Sequence, residues 1–184
     1  MKNIIEVKKF LPQMYEDKIF DSIYCSETFN WNYLKSISYK GSEETFPSFF
    51  HMVFNEREGI MNECFQFLYP LVCMIPEKTG VEVKNLLRMR LGLIIKHTEN
   101  NLHLPHIDFP GEDHYTALYY LNDSDGDTFV YNQLDGEKEL SKFTIKKRIK
   151  PEKGKLALFD GKHFHSSSSP EKNNKRVVLT INFN

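Results

Sequence analysis

At residues 87–95 the chain reads Leu-Arg-Met-Arg-Leu-Gly-Leu-Ile-Ile, and this alternation decides how the fold is interpreted. Successive side chains of a β-strand point to opposite faces. The apolar side chains of this stretch share one face: Leu87, Met89, Leu91, Leu93 and Ile95. Arg88 and Arg90 fall on the other face. The pattern predicts a strand that buries one side.

Shorter strand-like segments follow along the rest of the chain. They lie at residues 115–121, 128–132, 143–150, 155–159, 163–166 and 177–183. Turn signals rich in Asp, Gly and Pro separate them, for example Asp123-Ser124-Asp125-Gly126-Asp127. Several short strands at this rhythm predict a mainly β fold, namely a double-sheet jelly-roll or cupin-like barrel.

The first 80 residues are predicted to be mainly helical and to cover the outer face of one sheet. One helix is expected to open at Pro12, because proline is favoured in the first turn. A second is expected over residues 56–74, where apolar residues form a broad stripe, with Pro76 and Gly80 ending it. The fold class predicted is therefore mainly β with N-terminal helices that flank the barrel.

Composition indicates an ordinary globular chain. Its 184 residues are 40% hydrophobic and 27% charged, with a formal net charge of −1. Residues 1–184 are expected to form one domain, with 1–80 as the helical lead-in and 81–184 as the barrel core. The charge predicts no overall attraction to nucleic acid or to a membrane. Three cysteines without a CxxC pair, and no apolar signal or membrane segment, favour a soluble cytoplasmic protein.

The second half also contains a candidate metal and co-substrate site. His106 and Asp108 are two residues apart, so both can reach one ion from a single extended segment. A histidine far downstream, His163 or His165, would add a third ligand from another strand. Two imidazoles and one carboxylate on one face of an ion, with the other face open, are typical of non-haem Fe(II) centres. Arg176 could bind the carboxylate of a co-substrate with its planar guanidinium.

Five motifs occur in order along this half. They are His106-x-Asp108, Tyr119-Tyr120-Leu121-Asn122, Gly126-Asp127-Thr128, Phe159-Asp160-Gly161 with His165, and Arg176-Val177-Val178-Leu179-Thr180-Ile181. Together they resemble the 2-oxoglutarate- and Fe(II)-dependent dioxygenases, specifically the prolyl-4-hydroxylase-like branch. The resemblance covers residues 81–184 well and the N-terminal half with less specific motifs.

The resemblance implies a double-stranded β-helix with Fe(II) at one mouth and 2-oxoglutarate as co-substrate. His106, Asp108 and His165 would be the catalytic metal ligands. The family pattern Phe-Asp-Gly-x-x-x-His selects His165 over His163, which would lie at the rim. Arg176 would bind the distal carboxylate of 2-oxoglutarate.

Two more residues would complete the co-substrate site. Tyr120 stands where some members hydrogen-bond the same carboxylate, and adjacent Tyr119 would face the other way. Many relatives have a serine two residues after the arginine, where this chain has Val178. Thr180, on the same strand face as Arg176, could supply the missing hydroxyl.

The implied activity is hydroxylation of a C–H bond by O2, with decarboxylation of 2-oxoglutarate to succinate. Asp108 agrees with hydroxylation, because members that halogenate have a small residue in its place. Ascorbate is a further candidate cofactor. The primary substrate is open between a prolyl residue of a protein or peptide and a small molecule.

Two other functions are considered. A cupin-like metal enzyme that does not use 2-oxoglutarate would share the barrel, but the cupin run of His-x-His followed by Glu is absent and such an enzyme would not need Arg176. An inactive barrel that serves as a binding module is the second, and the intact triad argues against it. Iron binding without 2-oxoglutarate turnover would support such a module.

Several polar residues have simpler interpretations. His103 and His114 are expected to be solvated or to support the ligands. Arg88 and Arg90 either form a solvated sheet face or point into the barrel mouth toward the substrate. The basic segment 142–155 is interpreted as a solvated hairpin, and the acidic segment Asp123-Ser124-Asp125-Gly126-Asp127 as a turn.

Overall fold

The computed structural model describes residues 3–35, 48–99, 101–137 and 142–184. Within them, helix α1 spans Gln13–Ile19 and continues into a π-helical turn at Phe20–Tyr24, and helix α2 spans Cys64–Thr79. The strands are β1 (Ile5–Val7), β2 (Asn32–Leu34), β3 (Ser48–Asn55), β4 (Gly59–Ile60), β5 (Leu86–Ile95), β6 (Tyr115–Tyr120), β7 (Thr128–Leu134), β8 (Ile145–Ile149), β9 (Leu156–Asp160), β10 (His163–Ser167) and β11 (Lys175–Phe183). No helix in these ranges is long and apolar enough to cross a membrane.

The described strands form two antiparallel sheets. The larger has the order β1-β9-β6-β11-β5-β3-β2, with β4 paired to β3. The smaller has the order β10-β7-β8. The mainly β, double-stranded β-helix fold predicted from the sequence is confirmed.

Two apolar clusters hold the layers together. One lies between the helices and the larger sheet, where Leu71 and Ile75 of α2 pack with Met89 and Leu91 of β5. The other lies on the opposite face of that sheet, where Tyr120 and Val178 pack with apolar residues of the smaller sheet such as Val130 and Ile149. The larger sheet is therefore covered on both faces, by helices on one and by the smaller sheet on the other.

The alternation in β5 sorts its side chains as predicted as far as Leu93, but the prediction that Ile95 shares the buried face is wrong, because Ile95 is exposed at the end of the strand. Leu87, Met89, Leu91 and Leu93 are buried in the helix-side cluster or beside it. Arg88 and Arg90 point to the opposite face and are only partly exposed. Since this face looks toward the smaller sheet, the two arginines lie inside the barrel rather than on a solvated surface.

The prediction that residues 1–80 are mainly helical is wrong in part. Strand β1 pairs with β9, and β2 with β3, so this half supplies both ends of the larger sheet. The second helix begins at Cys64 rather than near residue 56, because β3 and β4 form a hairpin first. It passes through Pro76 and ends before Gly80, whose φ of 73° is the left-handed conformation that glycine tolerates at a helix end.

Candidate functional site

The fold brings the candidate metal ligands together from distant parts of the chain. His106 and His165 pair through two backbone hydrogen bonds: His106 N donates to His165 O at 2.9 Å, and His165 N donates to His106 O at 3.0 Å. Asp108 follows two residues after His106 and points the same way. One ligand atom from each of these three side chains lies within 4.8 Å of the others.

Each imidazole has one ring nitrogen available to a metal at the place where the three ligand atoms come together. Nδ1 of His106 lies 3.3 Å from the carbonyl oxygen of Leu104, and Nδ1 of His165 lies 3.3 Å from that of His163. A carbonyl can only accept, so each Nδ1 acts as the donor and each Nε2 keeps its lone pair for a ligand. His165 Nε2 lies 3.7 Å from Asp108 Oδ2.

The electrostatics keep these groups in the protonation states that bind a cation. Burial and the neighbouring His165 lower the pKa of His106 to about 4. Burial also lowers the pKa of His165. Burial alone would raise the pKa of Asp108, but Arg88 and the two imidazoles outweigh it and hold the pKa well below its usual value. Two neutral imidazoles and one carboxylate are the donor set that Fe(II) takes in such centres.

A polar network orients Asp108 from behind. Arg88 Nη2 lies 2.6 Å from Asp108 Oδ1. The two groups form a close ion pair, but this nitrogen is not aligned for a hydrogen bond. Asn182 donates from Nδ2 to Asp108 Oδ2 at 2.9 Å, and Arg88 donates from Nε to Asn182 Oδ1 at 3.0 Å. Asn182 also donates to Thr116 Oγ1 at 3.1 Å. The carboxylate is thus fixed by two side chains that themselves are hydrogen-bonded to each other.

Arg176 lies in the same cavity, 4% exposed. Its Nη2 donates to Thr128 Oγ1 at 2.8 Å, and the same oxygen accepts from the Tyr120 hydroxyl at 2.9 Å. The guanidinium carbon lies 5.6 Å from the centre of the Tyr120 ring. Arg176 Nε is buried and has no hydrogen-bond partner among the described residues, so a donor remains for a ligand.

The other predicted co-substrate residues are placed as follows. Tyr120 faces the cavity side of β6, whereas Tyr119 is buried in the helix-side cluster beside Phe10. Thr180 and Val178 line the cavity with Arg176 on one face of β11. The opposite orientation of the two tyrosines agrees with the sequence-based expectation. The roles of Tyr120 and Thr180 toward a co-substrate stay predictions.

The neighbouring histidines have partners of their own. His163 lies beside Lys146, with 2.8 Å between His163 Nε2 and Lys146 Nζ, and is outside the triad. His103 is buried, with its two nitrogens 3.0 Å and 2.9 Å from the hydroxyls of Ser167 and Ser169. His114 is buried against Gly161. Solvation, one of the expectations for His103 and His114, is wrong, because both side chains are buried.

The acidic segment is a turn, as expected, whereas the basic segment 142–155 is not a hairpin, because β8 pairs with β7 and β9 pairs with β1 and β6, and Lys155 is buried. Lys147 pairs with Glu6 at 3.0 Å, and Arg148 pairs with Asp127, so neither is left for an anionic patch. Asp125 accepts hydrogen bonds from the backbone amides of residues 171–173. Its carboxylate therefore ties one turn to the next.

Two residues of the site, Asn182 and Thr128, were not predicted individually from the sequence. Asn182 orients Asp108. The alternation of side chains along β11 could have indicated it, because Asn182 shares a strand face with Arg176 and Thr180. Thr128 contacts both Arg176 and Tyr120, and it was noted only as part of a motif. The hydrogen bonds of Asn182 to Asp108 and of Arg176 to Thr128 could not be inferred from the sequence, because each joins elements that are far apart along the chain.

Comparisons with known proteins give the family context. The model of the 2OG-Fe(II) oxygenase superfamily matches residues 93–184. No curated protein matches significantly.

Solved structures share the fold at low identity. A prolyl-4-hydroxylase of Pseudomonas putida is 16% identical with a TM-score of 0.61, covering 98% of this chain and 91% of its own. A prolyl hydroxylase of Trichoplax adhaerens, in complex with a peptide fragment of hypoxia inducible factor, is 17% identical with a TM-score of 0.59, covering 98% and 82%. The α-ketoglutarate-dependent epimerase SnoN from nogalamycin biosynthesis is 13% identical with a TM-score of 0.66, covering 98% and 77%.

Proposed function

The chain belongs to the 2OG-Fe(II) oxygenase superfamily, and on that premise we propose that it hydroxylates a C–H bond of an organic substrate with O2 and 2-oxoglutarate. The observation that carries the proposal is the placement of His106, Asp108 and His165 in one cavity with Arg176. We further propose that residues 1–184 act as one catalytic domain. The family resemblance inferred from the sequence is confirmed, whereas hydroxylation itself is the proposal.

His106, Asp108 and His165 would hold Fe(II), which supplies the oxidising chemistry when it is bound. The donor set fits that ion, since both imidazoles point Nε2 at the site and Asp108 is anionic. Arg88 and Asn182 would keep the carboxylate in position.

Arg176 would bind the distal carboxylate of 2-oxoglutarate. Thr128 takes one of its nitrogens, and Nε is left to donate to the ligand. The Tyr120 hydroxyl, which shares Thr128, could turn to the same carboxylate, and Thr180 offers a hydroxyl on the adjoining wall. Burial makes such charge-assisted hydrogen bonds stronger than they would be in water.

The first substrate to test is a prolyl residue, free or in a peptide. The support is the shared fold with two prolyl hydroxylases, one of which was solved with a peptide fragment. The fold is also shared with an epimerase, so the reaction class needs a direct test. Ascorbate would be included in the assay as a candidate reductant.

The test is O2-dependent formation of succinate from 2-oxoglutarate by the Fe(II)-loaded protein. Wild type is compared with His106→Ala, which removes a ligand, and with Arg176→Met, which keeps length but removes the charge. We expect succinate from wild type and a loss of at least about 100-fold in His106→Ala, since removing a first ligand exceeds the 10- to 100-fold effect of a supporting residue. Mass spectrometry of added peptides would show a gain of one oxygen atom.

Three outcomes separate the alternatives. Succinate together with an oxygenated product supports a hydroxylase. Iron binding without 2-oxoglutarate binding would contradict the proposal and favour a cupin-like metal enzyme. Binding of both without succinate, even with peptides and amino acids present, would favour a barrel that serves as a binding module.

A further inference from the structure

Arg90 is a partly buried cation on the cavity side of β5 that the proposed reaction does not use. It lies across from Thr180 of β11 and lines the same cavity as His106 and Arg176. Its Nε is buried and has no hydrogen-bond partner among the described residues. A buried guanidinium nitrogen without an acceptor is costly, so such groups are usually paired.

Asp108, the described carboxylate that interacts electrostatically with Arg90, already has another partner. Asp108 forms its close ion pair with Arg88 and accepts a hydrogen bond from Asn182. Burial, followed by repulsion from Arg88, lowers the pKa of Arg90 to about 10, which still leaves it charged at neutral pH. Among the described residues, Arg90 therefore has no carboxylate at ion-pair distance, whereas Arg88 has Asp108.

Arg90 and Arg176 occupy separate parts of the cavity. Arg176 is in register with Ile94 on β5, four residues beyond Arg90, which corresponds to about 13 Å of strand. Gly92 lies between them on the same face and leaves room over Val178, 3.8 Å from where a Cβ would stand. The cavity thus has two positions for anionic groups, and Arg90 is near enough to His106 and Asp108 to act on their charges.

We propose that Arg90 binds a carboxylate of the molecule that is oxidised, so that the enzyme acts on a small acid rather than on the interior of a polypeptide. The proposal rests on the proposed function. A single uncompensated guanidinium balances one negative charge, which fits a carboxylate better than a doubly charged phosphate. The same chemistry could come from the keto-acid carboxylate of 2-oxoglutarate, and the experiment separates the two sources.

The experiment measures binding by calorimetry under anaerobic conditions, with and without Fe(II). The probes are 2-oxoglutarate and three other acids, L-proline, N-acetyl-L-proline and N-acetyl-L-leucine. The affinity for each of these three acids is compared with the affinity for its amide. The proteins are wild type, Arg90→Met and Arg90→Lys, with Arg57→Met as the matched control, because Arg57 is an exposed residue in a turn. Thermal unfolding checks that Arg90→Met folds, and we expect its midpoint to be unchanged or higher, since an unpaired buried charge is removed.

The expected result is that wild type prefers at least one acid over its amide by roughly 10- to 100-fold, the range of a hydrogen bond to a charged group. Arg90→Met should lose that preference, Arg90→Lys should keep part of it, and 2-oxoglutarate affinity should not change. If 2-oxoglutarate affinity falls instead by a similar factor, the carboxylate that Arg90 binds is that of the co-substrate, and the proposal that Arg90 selects a small acid as the primary substrate is overturned.

Equal affinity of wild type for every acid and its amide, with unchanged 2-oxoglutarate binding in Arg90→Met, would overturn the proposal. This outcome differs from failure of the proposed function. If the protein prefers acids through Arg90 but forms no succinate, the carboxylate-binding role of Arg90 is supported and the oxygenase assignment is contradicted. If the protein forms succinate but Arg90→Met does not change the binding of any acid, the oxygenase assignment is supported and the role of Arg90 is contradicted.

Discussion

At the scale of single residues, the candidate centre depends on side chains that hold one another in place. Asp108 is oriented by Arg88 and Asn182, and Arg176 by Thr128. These supporting residues are buried or nearly so, which means that their hydrogen bonds are poorly replaced by water. Small changes there should alter ligand affinity without unfolding the chain.

Replacement of Asn182 by Leu tests the support of Asp108. The side chains are similar in size, but Leu cannot donate to Asp108 Oδ2 or accept from Arg88 Nε. We expect Fe(II) affinity to fall by about 10- to 100-fold, as for other residues that orient metal ligands. Anaerobic Fe(II) titration measures it, with Asn85→Leu as a control at an exposed position. Equal affinities of the two variants would contradict the orienting role.

His103 should make the folded state sensitive to acid. Burial lowers its pKa to about 3, whereas an unfolded imidazole has a pKa of about 6.5. Between these values the unfolded chain binds a proton that the folded chain does not, so stability falls as the pH falls through this window. The loss is up to about 1.4 kcal/mol per pH unit for this residue.

The check is urea unfolding of wild type and His103→Asn between pH 7 and pH 4. We expect the variant to be less stable at neutral pH, where it lacks the bonds to Ser167 and Ser169, and the difference to shrink at low pH. Parallel stability curves over this range would rule out His103 as a source of acid sensitivity.

At the scale of elements, the site is made where three segments meet. The segment around His106 pairs with β10 at His165, and β11 carries Arg176, Thr180 and Asn182 on one face. The loop before β7 passes beside Arg176 at Gly126. A Cβ at Gly126 would stand 2.6 Å from Ser168 O and 3.2 Å from Arg176 Cδ.

Gly126→Ala should therefore disturb the co-substrate end of the site more than the metal end. The added methyl group cannot fit beside a backbone oxygen, so the loop or Arg176 must move. We expect the 2-oxoglutarate Kd to rise by at least about tenfold, the cost of roughly one charge-assisted hydrogen bond. Fe(II) affinity should stay within about threefold, which is roughly the precision of such comparisons. An unchanged 2-oxoglutarate Kd would show that the loop does not position Arg176.

The strands could be predicted from sequence to within a few residues because their alternation is local. Strand β5 and the tyrosine pair of β6 illustrate this, since parity alone decides which side chain faces the cavity. The N-terminal strands were missed because β1, β2 and β3 are held by pairing with distant partners and show little pattern of their own. The Arg88–Asn182–Asp108 network was missed for the same reason.

At the scale of the whole molecule, the N-terminal segment joins both sheets. Strand β1 pairs with β9, while Glu6 contacts Lys155 at 3.2 Å and Lys147 of β8 at 3.0 Å. Lys155 is 3% exposed and also pairs with Glu152 at 2.7 Å and donates to the Lys150 carbonyl at 2.8 Å. This buried cation is therefore a point where the two sheets are fixed together.

Lys155→Met should destabilise the fold without changing the site. Met fills a similar volume, but it leaves the carbonyl of Lys150 without its donor and removes one of the two cations that contact each of Glu6 and Glu152. We expect a loss of about 2 kcal/mol, typical of hydrogen bonds to a charged group. Urea unfolding measures the loss, and Lys84→Met, at an exposed position, is the control. A loss no larger than that of the control would mean that water replaces these bonds.

The account as a whole depends on one claim, that the triad and Arg176 form a single Fe(II) and 2-oxoglutarate site. The most direct test is calorimetric binding of 2-oxoglutarate, without oxygen, to wild type and Arg176→Met in the presence and absence of Fe(II). The account predicts tight binding by wild type only when Fe(II) is present, and binding weakened by roughly 10- to 100-fold in the variant. Binding that is equal with and without Fe(II), or equal in both proteins, would contradict it.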